Sequence, residues 1–399
     1  MSDGSPRGTH AAALVELPGC GPACLSSLLA AHSAPETWAR IVSDRLVGLG
    51  SADDHRRWRE YASAVDLDRL TAILERHDVV VTTLHDADHP AAVIDDVDPA
   101  PVMFRRGEPV DSRAPAVAII GTRRCTPTGR EMSEELGFGL AGEGIVVVSG
   151  LALGIDGAAH RGALRASGAA PVAVVGSGLD VVYPRRNADL WWRMSENGTL
   201  LSEAPIGARP EPWRFPARNR ILAALADLVL VVESKAAGGS MITVEQAIRR
   251  GRPVLAVPGS VRNPAAAGTN LLISEGCQPV CSVDDVLVAL DLATAGPVRR
   301  LLTDEGRPAE PEAASDRWAR ELSPVEHRII MSVDFVGTGL DALSESCGAP
   351  VEVVAAAVVT LEQRGLVSLI DGLIRRRLAT NVTSGGSTDT SCGPVPSTG

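Results

Sequence analysis

Lysine is almost missing from this chain. Lys235 is the only one, so the positive charge is carried by arginine, a bias read as GC-rich coding rather than function. Aromatic residues make up only 3% of the 399 residues. No apolar run reaches the roughly 18 residues of a membrane-spanning helix, and 1–13 lacks the basic start and continuous apolar stretch of a signal peptide. The expected address is the cytoplasm, with no membrane partner. Seven cysteines are too few and too odd in number for a disulfide scaffold. Cys20 with Cys24 and Cys277 with Cys281 share a C-x3-C spacing, but no second Cys/His pair stands at ligand spacing beside either. Reduced thiols and no metal are expected.

Catalytic signatures are missing too. There is no G-x-x-x-x-G-K-[ST], no G-x-G-x-x-G with an acidic residue about 20 positions on, no G-x-S-x-G and no H-E-x-x-H. No cofactor is implied, and a non-enzymatic protein is the expectation.

Hydrophobic residues make up 45% of the chain and charged ones 22%, with a net charge of −11. The charge is unevenly spread. Residues 1–114 hold 11 basic against 18 acidic side chains, 115–290 hold 17 against 16, and 291–399 hold 10 against 15. An anion site must therefore be a local pocket in the neutral middle, because the average field repels polyanions at long range.

That middle repeats one theme of β-branched run, small-residue loop and helical stretch. The strands expected are 116–121, 145–150, 171–176, 199–205, 228–234 and 253–259. Strands alternating with helices imply right-handed crossovers and a mostly parallel sheet covered on both faces. The fold class is α/β, a Rossmann-like doubly wound sheet with a helical N-terminal domain and a C-terminal winged-helix domain. The domains expected are a helical segment (1–75), an extended Rossmann-like domain (76–290), a linker rich in Pro, Ala and acid (291–320), a winged helix (321–379) and a disordered tail (380–399). A strand at 79–84 and a strand with hairpin at 100–110 lead into the sheet. The turn Leu17-Pro18-Gly19-Cys20-Gly21 resembles a helix-hairpin-helix loop.

Ligands of open α/β sheets bind beyond the carboxyl ends of the strands. The stretch Phe215–Asp227 predicts a helix whose first position is Pro216, with Arg218 and Arg220 in its opening turn. Cations are disfavoured at that end and an anion is welcome. Arg123 and Arg124 repeat the arrangement before Thr126-Pro127, a cap and first helical residue. Two cationic entrances, with Gly121, Thr122, Ser149, Gly150, Gly176, Ser177, Gly178, Asn219, Gly238, Gly239 and Ser240 in the strand-end loops, predict a phosphate site built from charge-assisted hydrogen bonds. Phe215 is the aromatic expected to be exposed as a base platform. Tyr183, Trp191, Trp192 and Trp213 read mainly as core. Asp156 and His160 share a helix face, either as a proton-transfer or phosphate-contacting pair or as a first-turn aspartate with a packed neighbour.

The ordered blocks 121–123, 149–164, 172–187, 200–205, 215–225, 239–247, 251–259 and 268–276 resemble the DNA-processing protein A family, also called Smf. The resemblance implies single-stranded DNA binding in a basic pocket, homodimers, and hand-over of the strand to the RecA recombinase during natural transformation. It implies that Arg123, Arg218, Asn219 and Arg220 clamp phosphates. Two departures lower the expected pocket charge or alter its loops: Leu153 stands where a second arginine is common, and Gly238-Gly239-Ser240 where Ser-Gly-Ser is common. Two other functions are compatible with the sequence. One is a nucleotide-processing hydrolase of the N-glycosidase type, for which Glu245 is the nearest acidic candidate although the Pro-Gly-Gly-x-Gly-Thr-x-x-Glu signature is absent. The other is duplex binding by the winged helix.

Overall fold

The computed structural model of the chain describes residues 7–46, 49–294, 338–363, 367–370 and 373–376, with Ser323, Val325, Glu326, Arg328 and Ile329. It divides into two compact units, Met1–Glu305 and Gly306–Gly399.

In the first unit five helices precede the sheet: α1 (Arg7–Val15), α2 (Pro22–Ala31), α3 (Ala34–Val42), α4 (Ala52–Ala64) and α5 (Leu67–Arg76). Ser51 starts α4 with a capping box, its hydroxyl taking the Asp54 N–H while the Asp54 carboxylate takes the Ser51 N–H. Asp66 caps α5 in the same sense through the Arg69 N–H. Their apolar faces do not form a separate core. Leu14, Leu28 and Trp58 pack in one cluster with Phe104, Leu190 and Trp191 of the sheet region.

The sheet has nine strands: β1 (Val80–Thr83), β2 (Val102–Gly107), β3 (Ala116–Ile120), β4 (Val146–Ser149), β5 (Val172–Val174), β6 (Thr199–Ser202), β7 (Leu228–Val231), β8 (Val254–Ala256) and β9 (Gln278–Pro279). Their order is β1-β2-β6-β5-β4-β3-β7-β8-β9. The joins β1–β2 and β2–β6 are antiparallel and all others parallel. Strand β9 was not anticipated, since its two exposed residues carry no apolar run.

Helices α7 (Pro127–Gly142), α8 (Ile155–Ala163), α9 (Ala188–Asn197), α10 (Arg214–Leu225), α11 (Gly239–Arg249), α12 (Ala267–Ser274) and α13 (Val283–Ala293) follow the parallel strands, and the four-residue helix α6 (Ala91–Ile94) precedes β2. Alternate residues of β3 feed opposite faces, as a period of two requires. Val117 and Ile119 pack with Leu136, Leu140 and Ile155 of α7 and α8. Ala118 and Ile120 pack with Ile221, Leu222 and Val244 of α10 and α11. Full burial on both sides explains why these strands read as unbroken apolar runs.

From β3 the chain winds outward through β4, β5 and β6, then returns to the other side of β3 as β7. The switch point lies between β3 and β7, where a doubly wound sheet opens a crevice.

In the second unit, helices Leu340–Cys347 and Val351–Gln363 are followed by the antiparallel strands Val367–Ile370 and Leu373–Arg376, the latter also paired with Thr338–Gly339. Leu343, Val354, Leu361, Val367 and Ile374 form its core. This is the expected winged-helix outline. Most of the segment 323–333 expected as its first helix, the Asp371-Gly372 turn, the linker beyond Thr294 and the tail 380–399 lie outside the described residues.

Candidate nucleic-acid interface

A cavity of about 610 Å3 opens at the switch point. Gly121, Thr122 and Arg123 line it from the end of β3, Ser234 and Lys235 from beyond β7, and Gly238, Gly239 and Ser240 from the start of α11. Helix α10 contributes Phe215, Arg218 and Asn219, and Asp156 is the only carboxylate among the lining residues. Arg123, Arg218 and Lys235 thus share the cavity with one carboxyl group. Gly238, the N-cap of α11, offers no side-chain cap to the first turn, and an uncapped helix start favours an anion.

Arg123 is exposed. Its Cζ sits 5.0 Å from the Phe215 ring centroid, and it makes no ion pair among the described residues. Phe215 in turn leans on Tyr183 at 5.5 Å, so it is half-buried rather than exposed as expected. A guanidinium stacked on a ring keeps its edge free for an incoming oxyanion.

Arg218 is built differently. It is 7% exposed, and Nη1 donates to the Gly150 carbonyl at 2.9 Å and to the Val174 carbonyl. Nε is buried without a partner. Burial lowers its pKa to about 10, Asp156 opposing and Arg123 adding to the shift, so it remains cationic at neutral pH. Gly150 permits this arrangement, because a Cβ there would lie 2.5 Å from Arg218 Nη2 and 2.6 Å from Asp156 Oδ2.

The loop between β4 and α8 is strained: Leu151 has φ 54° although it is not glycine, and Gly154 has φ 82°. Asn187 braces it, its Nδ2 donating to the carbonyls of Leu151 at 3.0 Å and Ala152 at 3.1 Å. Its Oδ1 accepts from Arg161 at 3.1 Å. Sequence reasoning did not assign Asn187 this role.

Several predicted site residues do not reach the cavity. Ser149 is fully buried and its hydroxyl donates to the Ile119 carbonyl at 2.6 Å. The Ser177 hydroxyl is likewise turned inward, to the Val181 carbonyl at 3.0 Å. Gly178 forms a turn, its N–H bonded to the Ala208 carbonyl at 2.9 Å. Gly176 lines a small adjoining chamber. Arg124 is exposed but is not among the residues lining the cavity.

The two cationic helix entrances also need correction. Glu233, 6% exposed, reaches the start of α7 and accepts from the Thr126 N–H at 2.8 Å and the Thr126 hydroxyl at 2.6 Å. An internal carboxylate already fills that helix mouth. Helix α10 begins at Arg214, two residues before Pro216, because a proline lacks no needed N–H anywhere in a first turn. Arg218 and Arg220 are therefore in its second turn. They also diverge, since Arg220 bonds to Glu203 and to the Asp98 carbonyl at 3.0 Å, with Asp98 Oδ2 at 3.3 Å. Its charge is neutralised internally.

His160 is fully buried and pushed down to about 3, chiefly by burial, with the Arg218 and Arg161 charges acting in the same direction. It is a packed neutral imidazole and not a phosphate ligand. Asp156 is raised by burial, which Arg218 opposes. Lys235 is the cationic lining residue that sequence reasoning left out, although its place directly after the β7 run was the available signal.

Among the described residues no single helix is long and apolar enough to cross a membrane. The family described as DNA recombination-mediator protein A matches residues 80–291, and the DprA winged helix domain matches 311–372. Protein Smf of Synechocystis sp. is 32% identical over 317 residues, covering 74% of this chain and 79% of that one. DNA processing protein DprA of Bacillus subtilis is 39% identical over 194 residues, 48% of this chain, which spans 65% of that relative's length. The X-ray structure of DprA from Streptococcus pneumoniae superposes with a TM-score of 0.60 at 30% identity, covering 70% of this chain and 97% of that one. With its sheet region and its C-terminal domain both matched, the chain belongs to the DNA-processing protein A (DprA/Smf) family.

Proposed function

We propose that the switch-point cavity binds single-stranded DNA without cleaving it, and that the protein, as a cytoplasmic homodimer, protects the strand and promotes loading of a RecA-type recombinase during recombination and natural transformation. The observation that carries the DNA-binding part is the convergence of Arg123, Arg218 and Lys235 on one cavity beside Phe215, with a single carboxylate opposing them. The exposed Arg123 and Lys235 suit phosphates, and the ring beneath Arg123 suits a base. Family membership supports the DNA-processing role.

The proposed site is smaller than the predicted one: Arg123, Arg218, Asn219, Lys235 and Phe215, with the backbone of Gly121, Thr122, Gly238, Gly239 and Ser240. The hydrolase alternative loses its candidate acid, because Glu245 is exposed on α11 and is not among the cavity-lining residues.

A titration of single-stranded and duplex oligonucleotides over a salt series tests the reading. Tighter binding of single strands, weakened on every sequence by Arg123→Ala, is expected. Preference for duplex, or release of free base from nucleoside monophosphates, contradicts it. Faster recombinase nucleation on coated single strands is the readout for loading, and sedimentation that for the homodimer.

A further inference from the structure

Arg218 is the common wall of three spaces. It lines the 610 Å3 cavity, a chamber of about 50 Å3 and a groove of about 500 Å3. Phe215 lines the first two, and Gly176 the last two. At Gly176 the passage is floored by bare backbone, since a Cβ there would already lie 3.3 Å from Phe215 Cδ1. The unpartnered, buried Nε of Arg218 stands at this junction.

The segment before α10 separates the two larger spaces. Pro210 and Pro212 line the cavity, whereas Trp213 lines the groove. Trp213 is 60% exposed, and the Arg214 guanidinium sits 4.5 Å from its ring centroid. One exposed tryptophan needs no explanation by itself. This one stands in a groove whose size, about 500 Å3, falls in the ligand-binding range of roughly 300 to 1,000 Å3, and Arg218 is the wall it shares with the cavity. Its indole N–H donates to Glu211 at 2.5 Å, and Glu211 also pairs with Arg214 at 3.6 Å, which fixes the ring plane as a stacking surface needs. Of the groove's two carboxylates, Glu203 is paired with Arg220 and Glu16 is the other.

We propose that the groove takes the continuation of the same DNA strand, with Trp213 stacking a base and Arg218 holding the phosphate where the strand bends from one space into the other. This rests on the strand-binding reading above and assigns Trp213 a role that the sequence analysis gave to core packing.

The test uses the full chain and oligothymidylates of about 4 and about 15 nucleotides, within the range that single-strand binding sites cover. Binding to wild type, Trp213→Ala, Trp213→Phe and Arg123→Ala is followed by anisotropy. Trp213→Ala is expected to weaken the longer oligomer roughly 5- to 150-fold and leave the shorter unchanged. Trp213→Phe restores most of the loss. Replacing interior bases of the longer oligomer by abasic units removes the sensitivity to Trp213, which a purely structural role would not do. Arg123→Ala weakens both lengths. If Trp213→Ala affects neither length, or both equally, while Arg123→Ala weakens both, the groove is not a subsite and the cavity reading stands. If wild type binds neither oligomer, the strand-binding reading falls and this inference with it.

Discussion

Helices α7 and α10 both start beside arginine and proline, yet their first turns end in different electrostatic states. At α7 the positive end of the helix is met by the buried Glu233 carboxylate, which leaves Arg123 and Arg124 outside and free of the helix. At α10 no side chain caps the first-turn N–H groups, and the nearby Glu211 carboxylate pairs with the Arg214 side chain instead. The arginines one turn further on split, Arg218 toward the cavity and Arg220 toward Glu203 and Asp98. A cation near a helix start therefore says little about ligands until the internal anions are placed, and only tertiary contacts place them.

The sharpest way to break this comparison is to remove Arg220. It is 9% exposed and paired with Glu203, whose side chain is 23% exposed, so Arg220→Ala strands a half-buried carboxylate. A loss of about 1 to 3 kcal/mol in unfolding free energy is expected by denaturant titration, with affinity for a short strand retained by the fraction that remains folded. Retained stability would mean that the Glu203 pair is slack and that Arg220 is available to ligand.

A pH-dependent effect comes from His160 beneath the strained loop. Its folded pKa, about 3, is below its unfolded value near 6.5, so the unfolded chain binds more protons between these limits. The stability is fully present above about pH 6.5 and declines as pH falls toward 3, by up to about 1.4 kcal/mol per pH unit. Denaturation midpoints measured at stepped pH should show a shallower acid decline in His160→Gln than in wild type. Parallel curves would place the titration elsewhere.

The smallest effect is expected at Arg124. It is exposed, forms no part of the cavity wall and makes no ion pair among the described residues, so Arg124→Ala should change strand affinity by about 0 to 1 kcal/mol, fading as salt is raised. A loss equal to that of Arg123→Ala would show that the strand runs across the outside of α7.

Much of this architecture was legible beforehand. The apolar runs of β3, β4 and β7 are buried on both faces, and such strands announce themselves without any partner. Arg123 was legible because it follows a strand directly, where the chain path alone brings it to the crevice. Glu233 was not, because its role depends on β7 lying next to β3, a pairing of residues more than a hundred positions apart. Arg218 and Arg220 could not be separated for the same reason: two positions along a helix point to different surroundings, and what waits there is set by Gly150 and Glu203. Lys235 was visible in sequence but lacked a partner motif. Ser149 and Ser177 failed as loop donors because strand-end hydroxyls are turned to neighbouring carbonyls in a packed sheet.

The most direct measurement compares the salt dependence of single-strand binding by Arg123→Ala and Arg220→Ala with that of wild type. The account predicts that Arg123→Ala lowers the slope of log K against log salt by about 0.7, as expected for one lost contact to a single-strand phosphate, and that Arg220→Ala leaves it unchanged on an oligomer of about 4 nucleotides, short enough to stay in the cavity. An unchanged slope in Arg123→Ala, or a loss confined to Arg220→Ala, would contradict it.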